Sequence, residues 1–338
     1  MLDLIKNGES MGQHAVVKDT PVVVEGRKRG EIPPMPLKRD IKSVFNYGVC
    51  DPLWDIDTLP LTYNDSRWIA FIYEAKIEDL TKIVPKPLEV ADTRVEFWYV
   101  VHKYTMLGPY YEMGVTVPCI YRDEHGNEWK GGYYPYMYLT GSAATDAGRV
   151  LGFPKKCAYI VFHEHGGDPR EPSHKKDFFT TLIARNGYVM HSACGKYDDA
   201  VKAKDISPIF YGKTEWGRFN LKITSNSSLT KTVWELTYLP SEWQGKHRFQ
   251  LKPETVRTAS PDSIVWFGQG TPFDNMCAAI PPKELLGAIA FTFDLIIPPA
   301  KVLWTQTFTR TPSEVQKACY ATRYRYGMRQ YFPKPLGT

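Results

Sequence analysis

The sequence predicts a mainly β protein, α+β by element count, whose antiparallel strands close or curve strongly into one barrel with few helices. Three observations predict it. Short runs of apolar, β-branched and aromatic residues recur from Arg67 onward, each bounded by Gly, Pro, Asn or Asp. Only three segments carry a helical period with recognisable ends. So many strands in one block would leave unpaired edges unless the sheet closed on itself.

In chain order, residues 1–55 are rich in charge, glycine and proline and read as an N-terminal extension with one short helix near Asp40 to Phe45. Residues 56–310 show no repeat and no linker and read as a single barrel domain. Strands follow from "RWIAFIYEA", "VEFWYVVHKYTML", "YYEMGVTVPCIY", "GGYYPYMYLTG", "KKCAYIVFHEH", "FFTTLIARNGYVMHS", "FNLKITSN", "KTVWELTYL", "SIVWFG" and "AIAFTFDLIIP". Between them, "KIEDLTKIVP" places Ile77, Leu80 and Ile83 or Val84 on one helical stripe and stops before Pro85. "GSAATDAGRVLG" is a helix capped by Ser142 and terminated at Gly152. Residues 311–338 form a C-terminal helix and tail, with Thr311 as N-cap, Pro312 at the first helical position, Glu314 completing a capping box and Gly327 as the stop.

Composition narrows the function. A chain of 338 residues with 43% hydrophobic content supports a sizeable core, and 42 basic against 37 acidic residues leave only +5. That excess is too small and too dispersed for a nucleic-acid partner. Six cysteines lie far apart without a CxxC pair, which favours reduced thiols in a cytoplasmic setting and argues against a metal site. His163 and His165 alone do not make a metal site either. No apolar run reaches membrane-spanning length, so no membrane partner is expected.

The stretch "GRVLGFPKKCAY" sets Lys155 and Lys156 at the start of an apolar segment. A lysine attacks carbonyl carbon only as the neutral amine, which requires desolvation or a neighbouring positive charge. On a strand the two lysines point to opposite faces, so burial of one is the stronger route.

"GR-x-x-GFPKK" resembles the signature of the acetoacetate decarboxylase family. "DLTKIVPKPLEV", "GPYYE" and "IPPKELLGAIAFTFDLIIPPAKVL" are similar to further family segments in the same order, over roughly residues 60 to 305. The resemblance implies a cone-shaped β-barrel, a homo-oligomer, no cofactor and a small oxo-acid substrate. It implies that Lys155 forms a Schiff base, with Lys156 the neighbour held to activate it; the family is itself the usual example of such a lysine, so this expectation is inherited. The same match makes Glu112 a proton-handling or substrate-placing carboxylate. The family's second glutamate is replaced here by Trp98, next to Phe97. Its arginine falls on Ser66 by ungapped alignment, so Arg67 serves only if a bulge restores the register. Tyr111 and Phe153 supply aromatic lining, and Arg149 either braces its helix end or touches substrate. The expected function is a Schiff-base lyase acting on a β-keto acid. The loss of the second glutamate keeps open an aldolase, dehydratase or hydratase of an oxo acid, or a non-catalytic binding barrel.

Overall fold

The computed structural model describes residues 59–166, 176–207, 216–268, 274 and 276–325. The N-terminal extension with its short helix, and the stop at Gly327, lie outside the described residues.

The strands are β1 (Leu61–Glu74), β2 (Glu89–Val90), β3 (Arg94–His102), β4 (Tyr104–Thr105), β5 (Tyr110–Arg122), β6 (Glu128–Leu139), β7 (Lys155–Cys157), β8 (Tyr159–His165) and β9 (Phe178–Arg185). They continue with β10 (Tyr188–Lys196), β11 (Gly217–Ser225), β12 (Lys231–Leu239), β13 (Glu242–Trp243), β14 (Lys246–His247), β15 (Phe249–Ala259), β16 (Ile264–Phe267), β17 (Glu284–Ile297) and β18 (Lys301–Thr309). The α-helices are α1 (Ile77–Ile83), α2 (Ser142–Val150), α3 (Ala203–Ile206), α4 (Met276–Ala279) and α5 (Pro312–Arg325).

The main sheet has twelve strands and runs β15-β17-β1-β3-β5-β6-β11-β12-β18. It is mainly β, as the sequence predicts, but it does not close. The path begins at β15 and ends at β18, with no ladder joining them among the described residues. Nor is it wholly antiparallel, because β6 pairs in parallel with both β7 and β11. A four-stranded sheet, β16-β10-β9-β8, lies apart from it.

Alternation sorts the main sheet into two buried faces. From β1 and β3, Phe71, Tyr73, Phe97 and Tyr99 join Phe179, Ile183 and Met190 of the small sheet in one core. Trp68, Ala70, Ile72, Trp98 and Val100 face the other way, into a second core with Phe291 and Phe293 of β17. A central strand covered on both faces loses its polar positions, which is why "WIAFIY" reads as a continuous apolar run.

The helices follow their signals with two changes. Of the α1 stripe, Leu80 and Val84 are buried whereas Ile77 stays exposed. Ser142 does not cap α2: Gly141 occupies that position without a side-chain cap bond, and Ser142 is the first helical residue. Gly152 does end the segment, at φ +97°, in the left-handed region that favours glycine. In α5 the capping box forms, with Glu314 N donating to Thr311 Oγ1 at 3.2 Å and Thr311 N donating to Glu314 Oε2 at 2.8 Å.

Candidate active site

Lys155 opens β7, which lies parallel to the end of β6 with Met137 opposite it. Three local features aim its side chain. The turn after α2 brings Phe153 N to Gly148 O at 3.0 Å and Lys155 N to Phe153 O at 2.8 Å. Arg149 Nε then donates to Lys155 O at 2.9 Å, which fixes the peptide. Gly148 leaves the space into which the lysine stem lies, for a methyl group there would sit 2.3 Å from Lys155 Cδ and 2.5 Å from Cε.

We therefore predict that Gly148→Ala folds, since alanine is the better helix former by up to about 1 kcal/mol and the stem it displaces is flexible. Moving the amine by about 1 Å should lower turnover about 10²-fold, with little change in melting temperature. Turnover equal to wild type would show that the position of this amine is immaterial.

The Lys155 side chain is 6% exposed, and its amine meets Glu112 Oε1 at 3.2 Å. Glu112 Oε2 in turn lies 3.5 Å from His102 Nε2, and Ser66 Oγ and His102 Nδ1 share a hydrogen bond of 2.8 Å. Burial pushes the Glu112 carboxyl up, but the Lys155 ammonium and the His102 ring outweigh it and hold it below its ordinary value. Burial pushes His102 down, only partly opposed by Glu112, which favours the neutral ring. The tautomer that serves both contacts carries its proton on Nε2, with the Ser66 hydroxyl donating to Nδ1. Tyr110 donates to Tyr63 Oη at 3.3 Å beside this group.

Lys155, Glu112, His102, Tyr110 and Tyr63 line one cavity of about 270 Å³. Its walls are aromatic: Phe153 lies 5.4 Å from the Lys155 amine, and Trp68 and Trp98 stack at 4.3 Å. Trp98 is pinned by its Nε1–H donating to Thr116 Oγ1 at 2.8 Å and by close packing over Gly114. Beyond Trp98 the cavity reaches Tyr134, Arg218 and Arg248.

The structure thus brings Lys155, Glu112, Trp98 and Phe153 together and leaves the other candidates elsewhere. Lys156 turns to the opposite side, where its amine meets Asp274 at 2.9 Å; it does not line the cavity. Arg67 faces away as well, with Nε and Nη2 on the Glu164 carboxylate at 2.8 and 2.7 Å. A register shift does occur in β1, but between Tyr63 and Ser66, ahead of Arg67, and it does not bring Arg67 to the cavity; Ser66 is buried behind His102 without lining the cavity. Phe97 lies in the core between the sheets, Tyr111 packs against that same core, and Arg149 holds the Lys155 carbonyl without lining the cavity. Among the described residues no cluster of His, Cys, Asp or Glu is arranged to hold a metal. His163 is exposed, and Glu164 is committed to Arg67 and to Tyr197, whose hydroxyl donates to it at 2.7 Å.

Alternation alone could have corrected several of these positions. Residues 96, 98, 100 and 102 share a face of β3, so choosing Trp98 also selects Glu96 and His102 and rejects Phe97. Likewise Glu112 selects Tyr110 over Tyr111. For Arg218 and Arg248, far along the chain, the sequence carries no such signal.

Glu96 is a second buried carboxyl, 2% exposed. Burial pushes it up to about 7, although the Ser207 hydroxyl that donates to it and the Arg218 guanidinium pull it back. Because the folded value lies above the unfolded one, this group favours the fold at low pH, and that contribution is lost as pH rises from about 4.5 to about 7. Glu96→Gln should therefore gain stability over wild type at pH 8, on the order of 3 kcal/mol, and little at pH 4. Parallel melting curves at both pH values would refute this.

A mainly β protein with an interior lysine–glutamate pair in an aromatic cavity belongs to the acetoacetate-decarboxylase-like class of folds. The acetoacetate decarboxylase family model matches residues 51–306, and the chain belongs to that family. It is 32% identical to acetoacetate decarboxylase of Clostridium acetobutylicum, over 72% of this chain and 89% of the relative. It is also 32% identical to acetoacetate decarboxylase 1 of Bradyrhizobium diazoefficiens, over 37% of this chain but only 48% of that relative. Among solved structures, acetoacetate decarboxylase from Legionella pneumophila superposes with a TM-score of 0.58 at 20% identity, over 73% of this chain and 88% of the other. The enduracididine biosynthesis enzyme MppR, bound to the condensation product of pyruvate and imidazole 4-carboxaldehyde, superposes at 0.56 with 13% identity, over 72% and 89% of the two chains. Family membership supports an enzyme of the lyase type. Among the described residues no helix is long and apolar enough to cross a membrane.

Proposed function

We propose that the protein is a Schiff-base-forming lyase that decarboxylates a β-keto acid. The observation that carries this reading is the Lys155 amine, buried in the cavity wall and 3.2 Å from the Glu112 carboxylate. The free amine adds to the substrate ketone and water leaves, giving an iminium ion. The bond to the carboxylate then breaks, its electron pair moves toward the iminium nitrogen, and carbon dioxide departs. The enamine takes a proton on carbon, and water releases the product ketone and restores the amine. Glu112 is the group in contact with the amine, placed to take its first proton and to return one to the enamine, and His102 stands behind it at 3.5 Å. The aromatic walls exclude water, which strengthens the pull of the iminium charge on the breaking bond.

Borohydride reduction in the presence of acetoacetate, followed by peptide mass spectrometry, tests the reading. It expects an isopropyl adduct on Lys155; an adduct on another lysine, or none with any oxo acid, would sink it.

Trp98 favours a second reading. Where the family carries a carboxylate, an indole removes a proton-handling group, and the same iminium and enamine serve aldol condensation or dehydration of an oxo acid. Product masses from a panel of 2-oxo and 3-oxo acids separate the two, since only decarboxylation loses carbon dioxide from the substrate alone.

A further inference from the structure

The cavity also holds two cations that the lysine chemistry does not use. Arg248 is 6% exposed, and its guanidinium donates to two backbone carbonyls, those of Pro240 and, at 3.3 Å, Ile296. Among the described residues no carboxylate is paired with it. Burial and the charge of Arg218 beside it push its guanidinium down to about 10. Arg218 Nε donates to the Tyr134 hydroxyl at 2.7 Å, and both arginines line the cavity. Arg248 is buried whereas Arg218 is only partly so; the like charge of Arg218 destabilises the buried guanidinium, and an anion entering beside Arg248 relieves that cost.

This cationic end is remote from Lys155. Along the cavity face of β3, Glu96 lies near Arg218 and His102 lies beside Glu112, with Trp98 and Val100 between. Glu112, which the amine touches, lies opposite Val100, and Val100 is four positions from Glu96, so the two ends stand about 13 Å apart along the strand. Contacts from the amine to Arg218 pass through two rings: Lys155 Nζ is 5.4 Å from Phe153, which is 6.0 Å from Tyr134. In a β-keto acid a single carbon separates the ketone from the departing carboxylate. A ketone on Lys155 therefore leaves that carboxylate far short of the arginines. Pairing the departing group with two guanidiniums would also stabilise the ground state against its loss.

We propose that Arg218 and Arg248 form a recognition subsite for a second, distal carboxylate, so that the substrate is an oxo diacid. Its ketone meets Lys155, its chain lies along Trp98, Phe153 and Tyr134, and its far end is gripped by the two guanidinium forks. Glu96, near Arg218, ionises only around neutrality and above, and its charge there opposes a doubly charged phosphate more than a singly charged carboxylate. Placing the ketone rests on the Lys155 reading above; the anion subsite does not.

The test compares binding of methyl-ketone acids with four, six or eight methylene groups, the products such diacids would leave, against their methyl esters. Calorimetry on wild type and on Lys155→Ala removes covalent chemistry from the second measurement. The best acid should bind at least about tenfold tighter than its ester in both proteins. Arg218→Gln and Arg248→Gln should each reduce that ratio toward one. Equal binding of every acid and its ester to wild type overturns the subsite, with no variant required. Borohydride trapping of both compounds at Lys155 without an acid preference defeats the subsite and keeps the Schiff base. An acid preference without any adduct keeps the subsite and defeats the Schiff base.

Discussion

Lys155→Ala is expected to lower turnover by at least about 10⁴-fold, the scale seen when a covalent nucleophile is removed. It should also abolish borohydride-dependent incorporation of substrate. The effect should be this large because among the described residues no other lysine lines the cavity. Lys156 is turned toward Asp274 and cannot stand in for its neighbour. Lys156→Ala should keep most activity, so the two adjacent lysines give very different outcomes. The Lys155→Ala chain should still fold, because its aromatic cores do not depend on the amine. Its Glu112 carboxyl should titrate higher than in wild type, since the Lys155 charge is the largest influence holding it down. Residual turnover within tenfold of wild type would rule out covalent catalysis through this residue.

Glu112→Gln is expected to affect both activity and stability. Loss of a proton-handling group costs about 10² to 10⁴ in rate. Breaking a buried pair by removing one member costs about 3–5 kcal/mol, because it leaves a charge without its partner. The pH dependence has a definite sign. The folded carboxyl titrates below its ordinary value of 4.5, so its contribution is complete above that pH and is lost as pH falls through the folded value. The stability gap between wild type and Glu112→Gln should therefore be widest near neutrality and narrow in acid. Urea unfolding from pH 3 to 8 measures it, and a gap that widened in acid would refute the assignment.

Most of the strands are legible in the sequence because their β-branched and aromatic runs end at Gly, Pro, Asn or Asp, and these residues act locally. The α5 capping box is equally local, since Thr311 and Glu314 are three residues apart and need nothing else. Closure of the sheet was not legible. It depends on whether β15 and β18 meet, and each ladder is chosen by pairing between distant segments.

The candidate site divides in the same way. "GFPKK" and "GPYYE" mark Lys155 and Glu112, but their adjacency comes from β5 and β7 both pairing with β6. Which face of β1 looks into the cavity turned on a register shift before Ser66. A single extra residue there reverses every side chain that precedes it. No local pattern announces such a shift, and Arg67, which needed a bulge to take the family's arginine position, is turned to Glu164 instead.

The sequence by itself determined that the chain is mainly β, where α1 stops and where α5 begins, and it marked Lys155 and Glu112 as candidates through their motifs. These properties depend on residues within a few positions of one another. The tertiary structure alone decided that Lys155 rather than Lys156 is enclosed, that His102 and Ser66 support Glu112, and that Arg218 and Arg248 face the same cavity. Enclosure and charge pairing are properties of surfaces brought together from remote parts of the chain, so no reading of neighbouring residues contains them.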